Sequence, residues 1–262
     1  MQTSLLLEMA ADGLDDRIAI GSRKSGLTYA GLLARARTAA VWLAQDQAAT
    51  VAYAGLNSEA FPLALYASGI AGMPFVPLNY RLPDTDLRRI LARTAPGIAI
   101  VDDDIVPRVA GVEGITIVPR SEFLDRARGG PPVDLPPPGD PEDIAILLFT
   151  SGTTGEPKAA VLRHRHLTSY VISTADFMGA GEEEAALVSV PPYHIAGVAA
   201  VLTSTYLSTA PVGRISVKNM VAITQKTAQP RQIEWLFAFE IIGGSRSFVV
   251  ELGSIVVLQR SN

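Results

Sequence analysis

The chain contains no cysteine. That removes disulfide bridges, thiolate metal sites and a cysteine nucleophile together, and it accords with a reducing compartment. Positive charge is also scarce: 22 Lys and Arg, scattered along the chain, stand against 26 Asp and Glu, for a formal net charge of -4. Holding nucleic acid or an acidic membrane through phosphates needs a basic patch, so neither partner is expected. No Lys or Arg precedes Arg17, which leaves out the positive region of a secretory signal. One uncharged run, Ala60 to Tyr80, has about the length that spans a bilayer. Pro62, Pro74 and Pro77, with Gly69 and Gly72, interrupt it in ways a spanning helix rarely tolerates together, so it reads as a buried helix followed by a buried strand. A cytoplasmic protein without a membrane span is expected.

What is present is globular: 262 residues, 48% hydrophobic and 18% charged, enough for one large domain or two ordinary ones. Helix-like and strand-like segments alternate. Thr28 caps a predicted helix carrying Leu32, Leu33, Ala36, Ala40 and Leu43 at helical spacing. Thr50 to Ala54 reads as a buried strand. Ser58 is the expected cap of a helix running to about Ala71, Pro74 to Leu78 is a strand, and Asp84 or Thr85 caps a helix with Leu87, Ile90 and Leu91 inside. Ile98–Val101, Ile115–Val118, Ile144–Phe149 and Ala159–Leu162 are further extended segments. A helix from about Arg165 to Phe177 and a strand at Ala186–Val190 follow. The short connections predict an α/β fold with a mainly parallel sheet flanked by helices. Gly129 to Asp143, GGPPVDLPPPGDPED, can form neither a regular helix nor a central strand and reads as a stiff surface connection. His164 and His166 flank Arg165; two residues apart on a helix, they point away from each other, and a surface helix start is expected rather than a metal site.

The most informative stretch is Thr150-Ser-Gly-Thr-Thr-Gly-Glu-Pro-Lys158, placed directly after an apolar strand. Hydroxyls and backbone N–H groups are neutral donors able to wrap a polyphosphate, glycines let the backbone approach it, and a lysine adds a point charge. Ser, Thr and Gly also populate ordinary polar turns, which is the bland alternative. The P-loop of the common NTPases needs Gly-Lys-Ser/Thr opening a helix. Here Glu156 and Pro157 separate Gly155 from Lys158, and Ala159 follows, so that motif does not fit.

TSGTTGEPK resembles the signature loop of the acyl-adenylate-forming enzymes: AMP-forming acyl-CoA synthetases, luciferases and the adenylation domains of peptide synthetases. Pro74-Phe-Val-Pro-Leu-Asn-Tyr-Arg81 is similar to the family's strand-and-turn ahead of a helix, and Val190-Pro-Pro-Tyr-His-Ile-Ala-Gly197 to its acyl-pocket motif. The resemblance covers roughly Leu27 to Tyr206, and acyl-CoA ligases such as the fatty acyl-CoA synthetases are the nearest in character. It implies activation of a carboxylic acid by ATP to an acyl-adenylate, with release of pyrophosphate, then transfer to coenzyme A or a carrier-protein thiol, with Mg²⁺ on the phosphates. By resemblance, Thr150, Ser151, Gly152, Thr153, Thr154, Gly155 and Lys158 would hold the β- and γ-phosphates. His194 would sit near the carboxylate, and Tyr193 and Gly197 would shape the acyl pocket. Ala159 stands where the family commonly has glycine; a positive φ there would be strained.

Three segments that follow the acyl-pocket motif in the family are missing: the aromatic-Gly-x-Thr-Glu segment, the Thr-Gly-Asp segment and the C-terminal lysine segment. The expectation is an incomplete N-terminal domain of the adenylate-forming fold over residues 1–206, with a divergent tail, 207–262, of unclear periodicity that a frameshift, a disrupted gene or a wrongly drawn end would produce. Such a chain would present an unpaired sheet edge and exposed apolar surface, and fold poorly alone. The resemblance implies a ligase that is catalytically incomplete as this chain; the alternative is a non-catalytic remnant of a disrupted synthetase gene.

Overall fold

The first elements of the computed structural model are helix α1 (Ser4–Gly13), a two-stranded antiparallel ribbon of β1 (Ile18–Ile20) and β2 (Leu27–Thr28), and helix α2 (Tyr29–Gln45). The structure describes the chain except residues 23, 129–134, 136–138, 151–157, 181–184, 187, 208–209, 212–230, 242–247 and 259–262; for 150, 185 and the strands beyond 209 it describes the backbone only. The Thr28 hydroxyl accepts the Gly31 N–H at 3.0 Å, satisfying one of the orphan donors of α2 as its sequence position predicts.

There follow β3 (Thr50–Ala54), α3 (Ala60–Ile70), β4 (Phe75–Pro77), α4 (Asp84–Ala92), β5 (Gly97–Val101), α5 (Val106–Val109), β6 (Ile115–Pro119), α6 (Arg120–Ala127) and β7 (Ile144–Thr150). The strands among them run parallel in the order β7-β4-β3-β5-β6. Apolar side chains of α1, α2, α3 and α6 form one core on one face, and those of α4 and α5 form a second core on the other. Burial on both faces is why β5 reads as an uninterrupted apolar run rather than an alternation. Because β4 and β5 lie on opposite sides of β3, the connections leaving β3 and β5 diverge to opposite faces. At this reversal the Asp102 carboxylate lies close against the chain leaving β3, 2.4 Å from where a Cβ on Gly55 would stand.

The uncharged run from Ala60 is indeed helix then strand, and among the described residues no helix is long and apolar enough to cross a membrane. Two caps differ from expectation. Ser58 is not the cap of α3; its hydroxyl lies 3.1 Å from that of Tyr53. Helix α4 starts behind Pro83, with Asp84 and Asp86 in its first turn facing the positive end of the helix dipole. Most of the proline-rich stretch lies outside the described residues; its end is a turn in which the Asp140 N–H donates to Asp143 at 2.7 Å.

Strand β8 (Lys158–Arg163) pairs antiparallel with β7, and α7 (His164–Thr174) follows. His166 behaves as a helix-start residue, its Nδ1 accepting the Arg163 N–H at 3.2 Å. His164 does not lie at the surface. It is 2% exposed, and its Nδ1 accepts the Thr3 N–H at 3.3 Å and lies 3.0 Å from the Thr3 hydroxyl. The segment preceding α1 covers it, a partner 161 positions away that no local pattern announces.

Beyond α7 come β9 (Ala185–Ala186), shorter than expected, α8 (Ile195–Leu207), β10 (Ala210–Pro211), β11 (Arg231–Ile241) and β12 (Phe248–Leu258). Helix α8 is apolar all round and buried from Ile195 to Tyr206, so it shows no amphipathic stripe by which sequence could have found it. The edge expected to be unpaired is not: β11 pairs with β8 through Glu240↔Val161 and Ile241↔Ala160, and with β12, extending the sheet to ten strands. Ile233, Trp235, Phe237, Phe239 and Ile241 recur at every second position of β11, a strand periodicity in the stretch whose periodicity read as unclear.

Candidate active site

Strands β4 and β7 are neighbours with Phe75 opposite Ile146, so the turn after β4 and the end of β7 leave the sheet at one edge. That edge gathers the features the sequence singled out. Strand β7 ends at Thr150, whose register partner is Lys158, the first residue of β8. Residues 151–157 therefore connect the two arms of an antiparallel hairpin; Ser151, Gly152, Thr153, Thr154 and Gly155 lie outside the described residues. Along β8 the Lys158 side chain is exposed while Ala160, Val161 and Leu162 are buried. This anchors the strand in the core and presents the ammonium group at the mouth of the hairpin. Ala159 lies opposite Phe149 in extended backbone, and the one non-glycine residue with positive φ among those described is Met178. The expected strain at Ala159 is absent.

The second feature is an aromatic corner. After β4 the chain turns through Asn79, whose side chain accepts the Arg81 N–H at 3.0 Å, and presents Tyr80. The Tyr80 ring meets Tyr193 edge-on, with centroids 5.6 Å apart, and Tyr193 lies 4.6 Å from the His194 ring. The Arg81 guanidinium sits 5.6 Å from the centre of the Tyr80 ring. Partial burial first, and the Arg81 cation second, hold the His194 imidazole below its ordinary 6.5. It is neutral at neutral pH.

The corner owes its shape to the start of α8. His194 donates its N–H to the Pro191 carbonyl at 3.1 Å, and Gly197 donates to the His194 carbonyl at 2.9 Å. A Cβ on Gly197 would lie 2.7 Å from the Pro191 oxygen and 3.2 Å from the Pro192 Cα, both backbone atoms. Glycine is required there for the helix to pack against the double proline that precedes it. The structure thus brings Tyr193 and His194 together with Tyr80 and Arg81, two residues the sequence supplied as part of a motif but without a role. Sequence reasoning also missed Asn57, which follows β3 and donates to the carbonyls of Val188 at 3.1 Å and Val190 at 2.9 Å.

Among the described residues no group of three or more His, Asp or Glu side chains gathers in a way that could hold a metal ion. Mg²⁺ carried in on nucleotide phosphates needs only one or two carboxylates and does not call for such a group.

A mainly parallel α/β sheet thus carries at its carboxyl edge both the hairpin that bears the hydroxyl- and glycine-rich sequence and an aromatic, histidine-bearing corner. The chain matches the AMP-binding enzyme family over residues 7–224 and belongs to it. Feruloyl-CoA synthase from an Amycolatopsis species is 38% identical over 159 residues, covering 60% of this chain and 32% of that protein. Indoleacetate–CoA ligase from Aromatoleum aromaticum is 28% identical over 197 residues, covering 70% of this chain and 39% of that protein. The matched stretches make up only about a third of these relatives' own length. The fold is similar to that of ATP-bound MatB from Rhodopseudomonas palustris, with a TM-score of 0.72 at 23% identity, over 86% of this chain and 48% of that one.

Proposed function

We propose that this chain carries the phosphate-gripping and acyl-binding part of an ATP-dependent acid–thiol ligase. In the first step a carboxylate oxygen attacks the α-phosphorus of ATP, the bond to the β-phosphate bridging oxygen breaks, and acyl-adenylate and pyrophosphate form. In the second a thiol, that of coenzyme A or a carrier protein, attacks the acyl carbon, the bond to the AMP phosphate oxygen breaks, and AMP leaves. Both steps turn on stabilising charge at phosphate oxygens, which is an electrostatic task.

The observation that carries this reading is that the hairpin mouth and the tyrosine–histidine corner leave the sheet at one edge. Thr150, Ser151, Gly152, Thr153, Thr154, Gly155 and Lys158 are assigned to the β- and γ-phosphates, with Lys158 supplying the formal positive charge. His194 is assigned to the carboxylate. A neutral imidazole can donate a hydrogen bond without the full ion pair that would blunt the carboxylate as a nucleophile. Tyr193 and Gly197 border the acyl chain, with Tyr80 beside them. These ring faces suit an aromatic acid, in keeping with the feruloyl and indoleacetate named for the relatives, and fatty acids are the alternative to be compared.

Pyrophosphate release with ATP, Mg²⁺ and a panel of aryl and fatty acids tests the assignment. Any acid-dependent turnover by this catalytically incomplete chain should fall about 100-fold or more in Lys158→Ala with the melting temperature unchanged. A folded chain that is inactive across the panel would replace the ligase with a non-catalytic remnant of one.

A further inference from the structure

We propose that Asn57 is a positioning residue for the acyl-binding corner, its carboxamide fixing where Tyr193 and His194 stand relative to the central strand β3. Two acceptors, the Val188 and Val190 carbonyls at 3.1 and 2.9 Å, face one side-chain nitrogen, and only the amide NH₂ can supply two donors. These carbonyls belong to the segment that leads directly into Pro191-Pro192-Tyr193-His194. The bracket spans 131 and 133 positions of sequence.

What makes Asn57 a rigid support is how its own loop is held. The Leu56 N–H donates to Asp102 at 3.0 Å, and the Leu56 carbonyl accepts the Tyr53 hydroxyl at 2.8 Å. Asp102, only 4% exposed, is in turn fixed by Arg120 at 2.8 Å. A Cβ on Gly55 would lie 2.4 Å from the Asp102 carboxylate, so that approach depends on glycine. Each residue in the sequence Arg120, Asp102, Leu56, Asn57 has one place to be, and the last of them holds the corner. The Asn57 oxygen is buried without a hydrogen-bond partner among the described residues, so the amide is retained for its donors.

The inference rests on Tyr193 and His194 being acyl-site residues, and the test separates the two. The chain has three histidines, so imidazole NMR titrations of the full chain are assignable by single His substitutions. In Asn57→Asp an anionic oxygen would face the two carbonyls; in Asn57→Ser one donor is kept on a shorter arm. If Asn57 sets the corner, His194 loses its partial burial and then the influence of Arg81, and its titration moves up in the uncharged Asn57→Ser as well as in Asn57→Asp, while buried His164 stays unmoved as a fold control. Ferulate, used as the probe in the presence of ATP, should bind about tenfold more weakly, with ATP affinity unchanged. A His194 titration identical to wild type in a folded variant overturns the proposal. A shifted His194 with unchanged ferulate binding, or a wild-type chain that binds no ferulate, leaves the bracket standing and sinks the acyl-site reading instead. Should Asn57→Asp lose the His164 signature, Asn57→Ser decides by the same criteria.

Discussion

Replacing His164 by Asn should remove a defined part of this protein's acid sensitivity. His164 is 2% exposed, and its Nδ1 accepts the Thr3 N–H, which fixes the proton on the other ring nitrogen. A second proton on Nδ1 would face the Thr3 N–H, with the Thr3 hydroxyl having to turn to accept it, in a place with little water. Burial is the main cause of its low value, opposed by Asp143 and aided by the N-terminal amine; together they lower the imidazole from 6.5 to about 4. The unfolded chain therefore binds this proton more readily than the folded one. The associated stability is complete above pH 6.5 and is lost as pH falls towards 4. With about 1.4 kcal/mol per pKa unit, the loss reaches roughly 2 kcal/mol at pH 5 and about 3 kcal/mol at pH 4. Urea unfolding of wild type and His164→Asn from pH 7 to 4 measures it, since carboxylate contributions common to both cancel. The Asn oxygen can keep an acceptor near the Thr3 N–H, so the variant should lose about 1–2 kcal/mol at pH 7 through a smaller buried side chain. The gap between the two proteins should then close or reverse at low pH. Parallel pH profiles would show that His164 is already charged or solvated in the folded chain, and would refute the reasoning.

Gly197→Ala sets a gain of about 1 kcal/mol in helix propensity against an overpacking cost of roughly 1–3 kcal/mol at the Pro191 carbonyl. The melting temperature should fall by a few degrees, and a rise would show that the close approach is relaxed in solution. Asp102→Ala leaves Arg120 and the Leu56 N–H without their partner and should cost about 3 kcal/mol. Glu142→Ala, which breaks exposed pairs with Arg165 at 2.7 Å and Arg163 at 4.0 Å, should cost under about 1 kcal/mol. Equal effects on denaturant midpoints would contradict the ranking. Thr28→Ala should lower stability by about 1 kcal/mol with an unchanged m-value, and no change would mean the cap is replaced by water.

Elements were legible where a local signal coincided with the tertiary environment. Strand β3 agrees with its expected span, Thr50 to Ala54, because a short apolar run bounded by polar residues has few other ways to be buried. Helix α2 carries both a capping residue and a stripe. Helix α8 and strand β9 failed for opposite reasons, one being apolar on every side and the other being only two residues long. The alternation in β11 was present in the sequence but stood in a stretch whose periodicity read as unclear, and its pairing with β8 depends on where the hairpin edge lies in space.

By itself the sequence determined the chemistry on offer: a hydroxyl-rich, glycine-bearing loop ending in Lys158, a Tyr–His pair behind two prolines, and a parallel sheet to carry them. Those follow from residue types and spacing within a few positions of one another. Only the tertiary structure decided which of these meet. The register of β4 on β7 brings the turn bearing Tyr80 to the same edge as the hairpin, and the Tyr80–Tyr193 contact and the Asn57 bracket join segments far apart in the chain. It also turned His164 from an expected surface residue into a buried acceptor for Thr3. Contacts at such separations depend on how the chain is wound through the sheet, and local periodicity holds no record of that.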